Sequence, residues 1–501
     1  MSCGRTAPPA CSWTIERRTW RGRGPSACAR GLRPSLAASS EYLRDAGVKI
    51  KAQRVGERLP TRGIMKKLRD LWTDLRSSFW FVPAAIVCAA VTLALALIET
   101  DSMLVQDASD NWPRLFGSGA DGSRGMLSTI AGSMITVAGV VFSITIVSLS
   151  LASSQYSSRV LRNFMRDRTN QTVLGVFVGI FAYCLVVLRT IRGADEGAFV
   201  PALAVLAAVA LAFVGIAFLI FFIDHIGSSI QASRIIATVA KDTLEAVDHL
   251  FPENRGEPAD ELQGAASVTE QQFLGAIPAR RTGYVQRVDV GALMDVARAR
   301  QTIVRMECRV GEFVIEDTPL AAVSEVRDAD PDAVRQINDA CSVDQQRTVD
   351  QDAAYGIRQL VDVALKGLSP GINDTTTAIM CVDYLTAILA RLARRQLETP
   401  GRGEAGELQV IVRSPTYADF VAEAFDEIRQ NAEGNVAVMR RLVRSLETLS
   451  RITPGTARRR VLFMQVEAVR EAIQRSVQSP RERDALESYA RHVSEALKGP
   501  S

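Results

Sequence analysis

Histidine is scarce: His225, His249 and His492 are the chain's three, scattered through 501 residues. That excludes a His-rich metal cluster and the HExxH zinc motif. No P-loop GxxxxGK[ST] is present, and no GxSxG sits in a strand–turn–helix setting. One GxGxxG, Gly117–Gly122, has no strand before it and reads as a flexible connection. The eight cysteines contain no CxxC pair. They read as reduced and unpaired, which excludes a disulfide or zinc framework. The net charge of +4 is too small to argue for a nucleic-acid partner. The first 63 residues hold no continuous apolar core of the kind a secretory signal needs. These absences point away from an enzyme, and no cofactor or metal is expected.

Ionisable side chains are missing from four long apolar runs at 79–98, 126–154, 171–188 and 199–223. Each is long enough to cross a hydrocarbon core of about 30 Å, which takes roughly 17 to 25 helical residues. An unpaired charge at mid-bilayer costs several kcal/mol, and ion-coupled carriers keep carboxylates there. The runs therefore read as membrane spans, and a proton- or sodium-coupled carrier is disfavoured. The lipid bilayer is the first partner.

Lys and Arg set the topology. Lys66, Lys67, Arg69 and Arg76 precede the first span, and Arg159, Arg162, Arg166 and Arg168 separate the second from the third. The connection between the first two spans is acidic, with Glu99, Asp101, Asp107, Asp110 and Asp121 against Arg114 and Arg124. The alternation places both termini in the cytoplasm of a bacterial inner membrane. Trp80 and Phe81 fit an interfacial aromatic anchor. Residues 1–64 read as a disordered leader or a mis-assigned start, with Met65-Lys66-Lys67-Leu68 as the natural beginning. Residues 65–78 form a basic cytoplasmic segment, and 79–223 the four-span domain.

Beyond it, 224–272 reads as a helix and polar linker. Residues 273–330 read as a small β-rich module resembling a barrel-sandwich, with strands near Tyr284–Val288, Ile303–Cys308 and Gly311–Ile315 and a short helix at Leu293–Arg300. Its Gly311-Glu312-Phe313 turn resembles half of a biotinyl or lipoyl domain but has no acceptor lysine, so it reads as a spacer. Residues 331–501 form a cytoplasmic helical domain, with Leu408–Val412 as a lone strand. The fold class is mainly α: a four-helix transmembrane bundle followed by a cytoplasmic α+β region.

Gln346-Arg347-Thr348, Gln351-Asp352, Tyr355–Asp362 and Leu368-Ser369-Pro370-Gly371-Ile372-Asn373-Asp374 occur in one order. Together they resemble the signature of a bacterial family of predicted integral membrane proteins classed as a domain of unknown function. The resemblance extends from Met65 to roughly Leu449 and departs at Thr375, where the family carries proline. It implies the architecture above and no particular activity.

Two sets of residues are candidates for function. In the second span Thr129, Thr136, Ser143 and Ser150 recur every seven residues, with Ser133 and Ser154 on the same face and Gly132 and Gly139 beside them. Such a stripe serves either close helix packing or a water-filled path, and it makes this span the expected central helix of the bundle. Small-residue faces also suit a homo-oligomer. The second set is a polar pocket from Arg347, Asp350, Asp352 and Arg358 with the turn Ser369, Gly371, Asn373 and Asp374. There Gly371 permits unusual backbone angles and Asn373 or Asp374 caps the next helix. The competing reading is helix punctuation with solvated charges. Asp224-His225 ends the fourth span either as a helix-end contact or as a pH-sensitive gate. The sequence favours a non-enzymatic pore or membrane-tethered sensor; the alternative is a membrane-anchored ligand-binding or enzymatic domain using 347–374.

Overall fold

The computed structural model describes residues 80–108, 119–155, 168–192, 199–229, 231–252, 273–324, 330–397, 401–402 and 408–498. The leader and its start at Met65, the basic segment 65–78, Arg159, Arg162 and Arg166 lie outside them, as do the side chains of Asp107, Asp110, Arg114 and Ser154.

Four long helices follow the apolar runs: α1 (Phe81–Ala108), α2 (Ala120–Gln155), α3 (Arg168–Thr190) and α4 (Ala202–Ser229). Ala120, Asp121 and Gly122 of the GxGxxG lie in the first turn of α2, so that part of the expected flexible connection is helical. The third run is the centre of the block, which corrects the expectation for the second. α3 packs on α1, α2 and α4, and half of its apolar window is buried against 28% for α2. The cause is Gly175-Val176-Phe177-Val178-Gly179, a small-xxx-small spacing that lets two backbones approach. A Cβ on Gly175 would lie 2.9 Å from the Pro83 Cα and 2.9 Å from Ile86 Cδ1; one on Gly179 would lie 3.4 Å from Ala90 Cβ. α1 and α3 therefore meet almost backbone to backbone. Phe177, Ile180, Tyr183 and Val187 fill the space towards α2 and α4.

α5 (Ala232–Leu250) is the next described helix after α4. Next comes an α+β unit: β1 (Phe273–Pro278), β2 (Gly283–Val288), α6 (Val290–Arg300), β3 (Val304–Met306), β4 (Phe313–Val314), β5 (Pro319–Ser324), α7 (Pro331–Ala340) and β6 (Cys341–Asp344). Two strands from later in the chain, β7 (Gly401–Arg402) and β8 (Leu408–Ile411), complete it. The sheets run β1-β5-β3-β8-β7 and β4-β2-β6. β8 is therefore no lone strand: Val304 pairs with Val410 in the ladder's parallel step. Nor does the unit end at 330, because Ile337, Ala340 and Cys341 share its core with Ile277, Leu293 and Met306.

The remaining helices are α8 (Ala353–Leu368), α9 (Thr375–Leu392), α10 (Tyr417–Asn431), α11 (Val436–Ile452), α12 (Thr456–Ser476) and α13 (Pro480–Lys498). With α5 they enclose one continuous apolar core running from Ile236 through Leu360, Leu385, Phe425 and Leu446 to Val493.

Among the described residues five helices are, by length and composition, apolar enough to cross a membrane: α1 to α4 and α9. In α9, however, Cys381, Val382, Leu385, Ile388 and Leu389 are buried in the helical-domain core. Asp383 pairs with Arg441, and Arg391 pairs with Asp248 at 3.3 Å.

Gly175→Ala inserts a methyl group against backbone that cannot yield. Overpacking of this kind costs about 1–3 kcal/mol. The variant is expected to lose thermal stability in detergent-based scanning, whereas Gly227→Ala in α4, with open space above it, is expected to cause no such loss.

Candidate functional site

The eight polar candidates are built on α8, which separates them. Asp352 is the N-cap of α8, accepting from the Tyr355 amide at 3.0 Å. Arg347 donates to the same carboxylate through Nε (2.8 Å) and Nη2 (3.0 Å), and its guanidinium lies over the Tyr355 ring. Gly311, at φ 90°, closes over the pair; a Cβ there would collide with the carboxylate, so only glycine fits that backbone and that approach. Burial pushes the Asp352 carboxyl above the usual carboxylate range, while the Arg347 hydrogen bonds and charge and the Tyr355 amide pull it back. The pair is a joint between the α+β unit and the helical domain, reinforced by Gln351 Oε1, which accepts from the Val288 amide at 3.0 Å.

Arg358, almost two turns along, donates to Asp362 at 2.9 Å and to Glu427, with Glu423 at 3.6 Å, fastening α8 to α10. Asp350 is exposed. Ser369 ends α8, its Oγ donating to the Lys366 carbonyl at 2.6 Å. Asp374 is the N-cap of α9, accepting from the Thr377 amide (3.0 Å) and the Thr377 hydroxyl (2.5 Å). Those bonds to Thr377 hold its carboxyl below the usual range. The left-handed residue in this turn is Asn373 at φ 50°, not Gly371 as expected from sequence.

Sixteen residues of helix place Asp352 and Ser369 about 24 Å apart, so the structure does not bring the Arg347–Asp352 group and the Ser369–Asp374 turn into one pocket. A cavity of about 170 Å³ does open beside Asp352, lined by Phe251, Gln351, Ala353, Arg413 and Ser414 among others. The sequence did not single out Arg413 or Ser414. Among the described residues no cluster of His, Cys, Asp and Glu is placed to hold a metal.

The hydroxyl stripe sits elsewhere. Thr129, Ser133, Thr136, Ser143 and Ser150 are all exposed, on the side of α2 opposite its buried residues Leu127, Ala131, Met134, Ala138 and Val141. The hydroxyls of Thr129, Ser133 and Thr136 each donate at 2.8 Å to the carbonyl four residues earlier, so they are satisfied without leaving the helix. Among the described residues of one chain the stripe neither packs against another helix nor lines an internal path. His225 stacks on Phe221 with ring centroids 5.9 Å apart and lies 3.3 Å from Ser229 Oγ, a set of contacts inside one helix end.

Two charged residues just outside the apolar runs carry structural roles that hydropathy did not reveal. Asp101 is buried and accepts from the Leu203 and Ala204 amides at 3.2 and 3.1 Å, capping the first turn of α4 from a different helix. Arg124 donates to the Ile191 carbonyl at 2.9 Å, just past the end of α3. An anion at a helix N-terminus and a cation at a C-terminus both oppose the helix dipole.

Long apolar helices, their ends capped by partners from neighbouring helices, and a separate polar-surfaced domain define a multi-pass integral membrane protein. Residues 76–448 match the family described as "Predicted membrane protein (DUF2254)", and the chain belongs to it. It is 32% identical over 450 residues to an uncharacterised protein of Mycobacterium tuberculosis, covering 87% of this chain and 84% of the other. An uncharacterised Mycobacterium bovis protein matches to the same extent. No solved structure matches.

Replacing Asp374 with alanine removes the α9 cap and should cost about 1 kcal/mol (range 0.5–2). Because its folded-state pKa is lowered, the stabilisation is present above the ordinary carboxylate pKa and is lost as pH falls through the lower value. Thermal scans from pH 7 downward are expected to show the wild type approaching the variant. Asp352→Ala strands a part-buried Arg347 and should cost more, about 3–5 kcal/mol.

Proposed function

We propose that this is a non-enzymatic, homo-oligomeric protein of the bacterial inner membrane, crossing it four times with both termini cytoplasmic. In this reading α2 of each copy faces its neighbours, lining a pore between copies or forming the contact of a membrane-tethered sensor. α1 to α4 are the spans. α9 belongs to the cytoplasmic domain, as its ion-paired Asp383 and Arg391 and its place in that core support.

The observation that carries the reading is the position of the stripe. A lipid-facing helix gains nothing from small polar residues repeated every seven positions, and here they are interleaved with exposed Val140 and Val147 on the same side of α2. Gly132 and Gly139 stand open, with no atom within 4 Å of where a Cβ would be. Exposed glycines beside satisfied hydroxyls let a second helix approach closely. The core between α1 and α4 is filled by Leu127, Met134, Phe177 and Tyr183, so a water path would run between copies. The alternative, a membrane-anchored ligand-binding domain, draws support from the cavity beside Asp352.

Thr136→Cys and Ser143→Cys are expected to form disulfide-linked dimers on mild oxidation in membranes, while Leu185→Cys on the exposed side of α3 does not. Uniform absence of cross-links together with a monomeric mass by native mass spectrometry overturns the oligomer. Ion flux through reconstituted liposomes that changes on Ser143→Leu selects the pore, and silent liposomes with intact cross-linking select the sensor.

A further inference from the structure

The alternation of helices in the water-facing domain determines which of its turns lies at the bilayer. α4 ends at Ser229 and α5 begins at Ala232, so the start of α5 is fixed beside the end of the span. From there α5 runs 19 residues, about 28 Å, to Leu250. At that far end Leu250 and Phe251 share a cavity with Asp352, Ala353 and Ala354, the beginning of α8. Part-way back, the Thr243 side chain packs into the space above Gly356. α8 therefore runs back along α5, and its last turn comes level with Ala232. α9 leaves again, because Arg391 and Arg395 near its end pair with Asp248 near the end of α5. Asn435 donates to Thr375 Oγ1 at 3.0 Å, and the Gly434 amide to Ser476 Oγ at 2.9 Å, so the α10–α11 and α12–α13 turns share this end.

The turn that α8 and α9 present there is Ser369–Asp374. It is held by the amides of Ile372 and Asn373, which donate to the Ser369 carbonyl at 3.0 and 2.9 Å, and by the Asp374 amide on the Gly367 carbonyl at 2.7 Å. Its tip is bare. Pro370, Gly371 and Ile372 are exposed, Ile372 by 41%. A fixed turn that leaves an isoleucine in water gains nothing from it, but at a bilayer surface the same side chain finds the acyl boundary. Lys366, on the last turn of α8, and Arg234, on the first turn of α5, are also exposed at this end. Cations there favour an anionic leaflet.

We propose that the Pro370-Gly371-Ile372 tip inserts into the interfacial zone of the anionic leaflet where α4 leaves the membrane, giving the helical domain a second attachment besides the covalent one through α5. This rests on α4 crossing the bilayer and is independent of which side is cytoplasmic. The test uses the full chain in nanodiscs containing phosphatidylglycerol and doxyl-labelled lipid, with an environment-sensitive fluorophore on single cysteines placed by Ile372→Cys, Phe213→Cys in α4 and Glu316→Cys in the α+β unit, accessible native cysteines being replaced by serine. The probe at position 372 is expected to emit to the blue of that at 316 and to be quenched at least about twofold more, as an apolar group some 5–10 Å into the interface would be. Equal, weak quenching at 372 and 316 with strong quenching at 213 overturns the proposal and leaves the span standing. Weak quenching at all three positions overturns the span and the proposal with it. Loss of the position-372 signal in discs of zwitterionic lipid alone supports the electrostatic part; an unchanged signal removes it and keeps the apolar insertion.

Discussion

The contact on which the membrane block depends is the approach of α1 and α3 at Gly175 and Gly179. In lipid, helices gain little from burying apolar surface, because the acyl chains are as apolar as leucine. Close packing and satisfied polar groups have to supply the association instead. With no side chain at 175, the α3 backbone reaches Pro83 and Ile86, and Gly179 admits Ala90 one turn further on. That shared axis leaves the other sides of α3 for α2 and α4. Tyr183 uses the arrangement fully, its ring buried and its hydroxyl donating to the Ala204 carbonyl at 2.8 Å.

Helix ends are the second demand of the membrane, since the first amides and last carbonyls of a helix have no partner within it. At one end of the block the structure answers with side chains from neighbouring helices. Asp101, about two turns before the end of α1, takes two of the free amides of α4, and Arg124, from the start of α2, takes a carbonyl just past the end of α3. Both are charges that would be costly in hydrocarbon and are favourable against a helix dipole. They also tie together helices that are distant in sequence.

Much of this was legible in the sequence, and the boundary between what was and was not is physical. Apolar length identified α1 to α4, because that property is local. Asp374 as a cap was legible for the same reason. The central helix was not. The Thr129–Ser150 period is conspicuous, but periodicity says only that a face is special, and here that face turns outward. The two glycines that matter, 175 and 179, lie in a run without a hydroxyl stripe to draw notice. Asp101 escaped because it falls just beyond the apolar run that defines the first span. Leu408–Ile411 looked solitary because one partner, Val304–Met306, lies about a hundred residues earlier and the other, Gly401–Arg402, is only two residues long. The polar residues of 347–374 looked like one site because they are close in sequence; a straight helix between them sets them at opposite ends of the domain.

That separation gives the water-facing region a polarity of its own. Its far end is tied by charge and hydrogen bonding: Arg347 with Asp352, Arg395 with Asp248 and the Phe251 carbonyl, and Arg458 with the carbonyls of Ala393 and Arg395. Several of these groups are largely buried, so each holds its partner in one geometry, and breaking one leaves a charge in a poorly solvated place. The α+β unit joins here, through Gly311 over the Asp352 carboxylate. The near end has short capped turns and the more exposed Arg475–Glu433 pair. α5 runs between the two, with Thr243 set against Gly356, Ile236 and Val247 in the core and Asp248 in the far-end ion pairs. Held along its length in this way, α5 must move with the domain as one body.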